Sequence, residues 1–290
     1  MRKERIGYLF VAPCIAVILL VLGFPMLYVL GISFTKYRPM ISLEWVGLKN
    51  YANILKDEVF FTACVNTFVF TIFSVVFHVL LGMAAALLLN RSFRGRRLVR
   101  TLYLLPWMLS YIVGAITWRW LLNGSYGILN EILLRMGLIK EYVAWLGTKQ
   151  TAMLFVILAN IWKQFPYVML MFIAGLQAIP HEQYEAASID GANALRCFTS
   201  VTLPNMKNVI VITSTLDFIW SFKQFDLIQT MTGGGPGIST EVLSTLVYRT
   251  FFSDYNFGKA SAYAMVLLVI VLVISTFYGR LVFPSSQNDS

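Results

Sequence analysis

Residues 179–204, IPHEQYEAASIDGANALRCFTSVTLP, form a polar island in a chain that is otherwise strongly apolar. Glu182, Glu185, Asp190 and Arg196 fall within it, whereas the flanks, Thr151 to Ala178 and Val209 to Thr230, are long and hydrophobic. A bilayer core about 30 Å thick is crossed by roughly 20 apolar residues in a helix, and each flank reaches that length. The island therefore connects two membrane spans. At about 25 residues it is too long for a simple turn.

The rest of the chain repeats the pattern. Apolar runs also extend from Ile6 to Phe34, Val65 to Leu89, Thr101 to Leu122 and Ala260 to Phe283, giving six expected spans. Of 290 residues 58% are hydrophobic and 13% charged, and the mean hydropathy is +0.70, outside the range of soluble domains. The fold class expected is all-α integral membrane with six transmembrane helices.

An even number of spans places both termini on one side. Arg91, Arg94, Arg96, Arg97 and Arg100 crowd the short turn after the second run, and such a turn faces the cytosol. Arg2, Lys3 and Arg5 agree, while Lys36, Arg38, Lys49 and Lys56 in a longer outer loop dilute the summed bias. The net charge of +9 gathers beside membrane spans, where anionic membrane lipid, and no nucleic acid, is the expected partner. The apolar run after MRKER is too long for a cleaved leader and lacks an A-x-A site, so it is expected to remain a span. Cys14, Cys64 and Cys197 have no CxxC spacing and imply no disulfide framework.

Span one carries Pro13, Gly23 and Pro25, which a membrane helix tolerates where neighbours satisfy the freed backbone groups. Thr35 to Phe61 reads as an outer loop with a short helix, and Glu131 to Leu138 as an interfacial helix with Leu133, Leu134 and Gly137 on one side. No connection is long enough for a nucleotide-binding or catalytic domain. GGGPGIST, residues 233–240, lacks the lysine of a phosphate loop. The two histidines, His78 and His181, belong to no H-E-x-x-H motif, and no G-x-S-x-G occurs. No catalytic residue and no metal site are expected.

Within the island, Tyr184, Ala187 and Ile189 alternate with Glu182, Glu185, Ser188 and Asp190, which predicts a short surface helix beginning after Pro180 and ending at Gly191. A second helix is expected from Ala192 to Ser200, with Pro204 at the start of span five. Glu185-Ala186-Ala187, Gly191 six positions after the glutamate, and Val201-Thr202-Leu203-Pro204 resemble the EAA loop of binding-protein-dependent ABC importer permeases. YLFVAPCIAVILLVLGFPMLYVLGISFTKY, VGLKNYANIL, RGRRLVRTLYLLPW and the Met231–Leu268 stretch are similar to carbohydrate-type members of that family.

The resemblance implies a type I ABC importer transmembrane domain in a bacterial cell membrane. It divides the chain into a first span and outer loop (1–64), a core of five helices with a cytosolic loop (65–284, loop 179–204) and a cytosolic tail (285–290). It implies that Glu185, Ala186, Ala187, Asp190, Gly191, Leu203 and Pro204 couple the chain to an ATPase. The implied partners are two cytosolic ATPase subunits, a second homologous permease subunit and an extracytoplasmic solute-binding protein. ATP and Mg would bind the partner ATPase subunits and no cofactor this chain.

Polar groups inside spans cost energy unless they face a cavity or a partner. Thr213, Asp217, Trp220 and Gln224 recur at spacings of four, three and four, which predicts one helical face. Span four offers Asn160, Lys163 or Gln164, and Tyr167, and span three aligns Trp107, Tyr111, Gly114 and Trp118. Such mixed walls suit a sugar, with amides for its hydroxyls and rings for its C–H face. The competing reading pairs Asp217 with Lys163 or Lys223 as a structural ion pair. A non-sugar solute, or an ATP-independent carrier, is the alternative function.

Overall fold

Apolar runs coil into helices because a membrane interior offers backbone groups no partner but the helix itself. The computed structural model describes residues 11–282, and among them two compact units are found, 11–60 with 246–270 and 61–245 with 271–282.

In the first unit, α1 (Val11–Ser33) is apolar throughout and passes through a π-turn at Leu19–Gly23 just before Pro25. The wider turn meets the proline, which cannot donate to the preceding turn. The expected loop that follows contains a hairpin, β1 (Thr35–Arg38) paired antiparallel with β2 (Ser42–Trp45), so the chain is not purely helical. Stacking of Phe34 on Trp45 at 5.6 Å closes the hairpin's open end. Asn50, in α2 (Lys49–Ile54), donates to the carbonyls of Ser33 and Thr35, 2.8 Å each, and fixes the hairpin to the end of α1.

The late segment α12 (Leu243–Phe252) enters this unit from Leu246 onward, together with the start of α13 (Phe257–Val282). Lys259 Nζ and the Tyr263 hydroxyl both donate to Asp57 Oδ2, at 2.7 and 2.5 Å, and Phe60 stacks on Tyr263 at 5.6 Å. Gly258 is where β1 passes α13, and a Cβ there would lie 2.0 Å from the Thr35 carbonyl oxygen.

The second unit is built on α7 (Lys149–Gln177). Its apolar window is 72% buried, against 33% for α3 (Glu58–Asn90) and 0% for α1. The expected third span is broken: α4 (Arg96–Met108) and α5 (Tyr111–Leu121) meet at 94°. Pro106 withholds a donor near the end of α4, Leu109 is extended, and Ser110 restarts the helix by accepting from the amide of Ile112.

The predicted amphipathic helix is α6 (Ile128–Arg135); Gly137 lies beyond its end with φ +71 and so cannot share a helical face with Leu133 and Leu134. The expected second loop helix is not separate. It begins as α9 (Ala194–Cys197) and continues through a π-turn at Phe198–Thr202 directly into α10 (Leu203–Phe222), with Pro204 in the first turn as expected.

Span five also ends sooner than its apolar pattern suggests. It stops at Phe222, and α11 (Asp226–Met231) is a distinct short helix. Among the described residues four helices are long and apolar enough to cross a membrane, and the bent pair makes a fifth. The expected sixth, α10, has the length of a span at 20 residues but carries Lys207 and Asp217.

Two outcomes follow. Gly258→Val forces a side chain against the Thr35 carbonyl and destabilises the purified protein by about 1–3 kcal/mol, the usual cost of overpacking; an unchanged thermal unfolding midpoint in detergent refutes the close approach. Burial raises the affinity of the Asp57 carboxyl for a proton, but the hydrogen bonds from Lys259 and Tyr263 outweigh it and hold the group below the usual carboxylate value. The stability this supplies is complete above the unfolded value near 3.9 and is lost as pH falls through the lower folded one. Asp57→Asn removes that acid-side loss, as unfolding followed against pH checks.

Candidate functional site

Two features of the second unit concentrate polar and exposed groups: the connection after α7, and a cavity where α4, α5, α7 and α10 meet.

The connection opens with α8 (His181–Ile189), started by Pro180 as the pattern predicts. Its inner side is pinned by a 3.0 Å hydrogen bond between the hydroxyls of Tyr184 and Thr202 and by Asn205 Nδ2 donating to Gln183 Oε1 at 2.7 Å. Its outer side carries Glu185, Ala186 and Asp190, all exposed, with Ala187 half-buried beneath. Ile189 is 86% and Leu195 71% exposed, so the outward face is apolar as well as charged. Gly191 ends α8 at φ +75, a left-handed conformation that side chains resist, and nothing lies within 4 Å of the position its Cβ would take. Leu203 and Pro204 are exposed at the start of α10.

The cavity, about 380 Å³, is lined by Trp107, Tyr111, Gln164, Trp220, Lys223, Gln224, Phe225 and Asp226. Trp107 and Tyr111 reach it from either side of the break in the third span. The bend leaves terminal carbonyls of α4 without helical partners, and the Lys163 ammonium donates to one of them, Trp107 O, at 3.2 Å while lying 4.1 Å from the centre of the Tyr111 ring. Tyr111 in turn donates its hydroxyl to Gln164 Oε1 at 3.0 Å. Tyr167 bridges the aromatic walls, 6.0 Å from Trp107 and 5.0 Å from Trp220 between ring centres.

Of the residues singled out in the sequence, Gln164, Trp220 and Gln224 meet at the cavity with Trp107 and Tyr111. Gln224 reaches it from beyond the end of α10, not from the helical face predicted for it. Asn160, Thr213 and Asp217 are buried and do not line the cavity. In place of the ion pair expected between Asp217 and Lys163 or Lys223 there is a hydrogen bond to another residue: Asp217 Oδ2 lies 2.8 Å from His78 Nδ1, and both side chains are fully buried. Gly114 faces Trp162 and Lys163, and Trp118 packs edge-on to Trp162 at 6.2 Å, away from the cavity.

Sequence reasoning passed over Phe225 and Asp226, which a continuous span five would have put elsewhere, and His78. The signal for His78 was available: a lone ionisable group in an apolar run demands a partner.

Comparison with known proteins places these features. Residues 78–283 match the family of binding-protein-dependent transport system inner membrane components. The trehalose/maltose transport system permease protein of Thermococcus litoralis is 37% identical over 94% of this chain and 92% of its own. The diacetylchitobiose uptake system permease protein of Streptomyces coelicolor is 31% identical over 97% and 88%. The sulfoquinovosyl glycerol transport system permease protein of Agrobacterium fabrum is 31% identical over 96% and 90%. A chain of a bacterial ABC transporter that imports the acidic polysaccharide alginate has the same fold, with a TM-score of 0.85 at 24% identity over 99% of this chain and 98% of that one. The protein belongs to the inner-membrane components of binding-protein-dependent transport systems, the permeases of ABC importers.

Proposed function

We propose that the chain is a non-catalytic permease subunit through which an ATP-driven importer passes a sugar or related polyhydroxylated solute. The observation that carries this reading is the cavity wall, in which the rings of Trp107, Tyr111 and Trp220 alternate with the amides of Gln164 and Gln224. Rings accept the C–H face of a pyranose and amides its hydroxyls. The named relatives support the class, since each carries a carbohydrate or a glycoside in its name.

In this reading an extracytoplasmic binding protein delivers the solute, and a second homologous permease completes the pathway. Two cytosolic ATPase subunits, which bind the ATP and Mg, dock on the outward face of α8. Glu185 offers a charge to a partner arginine, and Ala186 and Ala187 allow close approach. Asp190 and Gly191 form the joint, and Leu203 and Pro204 lead the motion into α10. Closure of the ATPase pair shifts the coupling helices, and the cavity exchanges one side of the membrane for the other. Both termini and the arginine-rich turn at 91–100 lie in the cytosol, and the 35–61 loop lies outside.

Gly191→Asp puts a side chain where φ is +75. We expect it to abolish ATP-driven uptake into membrane vesicles while the subunit is still found in the membrane by immunoblot; wild-type uptake would remove the coupling assignment. Uptake persisting in the wild type after the partner ATPase is deleted would instead indicate an independent carrier. Trp220→Ala and Gln164→Ala each raise the half-saturating concentration of trehalose or maltose, used as trial solutes, by about 3- to 10-fold, from the ~0.5–1.5 kcal/mol such a contact supplies. Unaltered kinetics in both variants for solutes that the wild type transports would rule out the cavity as the pathway.

A further inference from the structure

His78 lies on α3, outside the cavity and outside every residue assigned to the pathway above. Its two ring nitrogens are both engaged, Nδ1 with Asp217 Oδ2 of α10 at 2.8 Å and Nε2 with the backbone carbonyl of Asn160 of α7 at 3.2 Å. One imidazole thus joins three helices where all three side chains are buried, at 0% exposure for His78 and Asp217 and 1% for Asn160. Asn160 lies one helical turn from Gln164, and Asp217 one turn from Trp220. The junction therefore stands one helical turn along from the two cavity walls, on the same helices.

The contacts also fix where protons sit. A carbonyl oxygen only accepts, so Nε2 must carry a hydrogen. Nδ1 then either donates to an ionised Asp217 or accepts from a protonated one; two facing lone pairs at 2.8 Å would repel. In both cases a single proton lies between Nδ1 and Oδ2, and the pair is neutral as a whole, which suits a site shut off from water. Neither nearby lysine offers a countercharge: Lys163 Nζ is spent on Trp107 O and the Tyr111 ring, and Lys223 lines the cavity without an ion pair to Asp217. Asp217 Oδ1 has no hydrogen-bond partner among the described residues, so the histidine is the group that holds this carboxyl.

We propose that His78 is a positioning residue for the transport cavity, holding α10 against α3 and α7 through one proton shared with Asp217, so that Trp220 and Gln224 face Gln164. This rests on the reading of the cavity as the solute pathway, but its test needs no solute.

The chain has two histidines, His78 and His181, so nitrogen-15 histidine spectra of the purified full chain in lipid nanodiscs, with His181→Gln to assign them, resolve His78. We expect Nε2 to be protonated and the Nδ1 signal to move when Asp217→Asn is introduced. A bare Nδ1 indifferent to Asp217→Asn overturns the proposal, and so does an Nε2 without its hydrogen in the wild-type spectrum, a reading that needs no variant to fold.

In the second arm, Cys14, Cys64 and Cys197 are replaced by serine and Gln224→Cys is labelled with a water-soluble maleimide. Asp217→Asn, which keeps a hydrogen bond to His78, is expected to leave the labelling rate within about twofold. His78→Phe and Asp217→Ala raise it by about tenfold, and the double variant adds nothing further, as for two partners of one interaction. A His78→Phe rate within twofold of the parent's overturns the positioning role. If both arms hold and sugar uptake is absent, His78 still orders the cavity and the assigned solute class is what fails.

Discussion

A polar group buried among membrane helices has to find its partner inside the protein, and α7 is where this chain meets that demand. The Asn160 carbonyl reaches α3 through His78, the Lys163 ammonium reaches α4 through Trp107 O, and Gln164 reaches α5 through Tyr111. Each contact joins α7 to a different helix, and each would be costly to leave unmade in a medium without water. Dispersion alone would let apolar helices slide past one another. These contacts set register as well as proximity, and the cavity walls inherit their positions from that register.

The same demand explains why the third span can break at 94° without collapse. A bent helix exposes carbonyls at one stub and amides at the other. Ser110 covers an amide of α5 with its own hydroxyl, and Lys163 covers a carbonyl of α4 with a charge, a favourable sign at a helix C-terminus. The lysine is thereby committed to the scaffold. The cavity wall itself is left to rings and amides, together with Lys223 and Asp226, which follow α10 in sequence.

How much of this could be read in the sequence depended on how local the determinant was. The first half of the 179–204 loop was legible, because Pro180 and Gly191 act on their own backbone and their neighbours, whereas the second helix, expected to stand apart, runs on into α10. The hairpin at 35–45 was not, since strands of four residues each, Thr35–Arg38 and Ser42–Trp45, are too short for their alternation to stand out from a loop, and the Gly258 contact is distant in sequence. The cavity was half legible. Helical spacing singled out Gln164 and Trp220, yet the same spacing carried the face of span five past its true end at Phe222 and misplaced the reach of Gln224. Asp217 was read first as part of the polar face of span five and in the competing reading as a partner of Lys163 or Lys223; its partner is a histidine 139 positions away, which charge and spacing alone do not point to.

One asymmetry of the 179–204 connection sets its mechanics. On its near side Gly191 ends α8, which is tied across to the far side by the Tyr184–Thr202 and Gln183–Asn205 hydrogen bonds. On its far side α9, the π-turn and α10 are a single helical rod from Ala194 to Phe222. At about 1.5 Å of rise per residue that rod spans roughly 40 Å between its base and Trp220. A lever this long without a joint multiplies tilt: a small change of angle at Ala194 displaces the ring of Trp220 by far more than it displaces anything at the base.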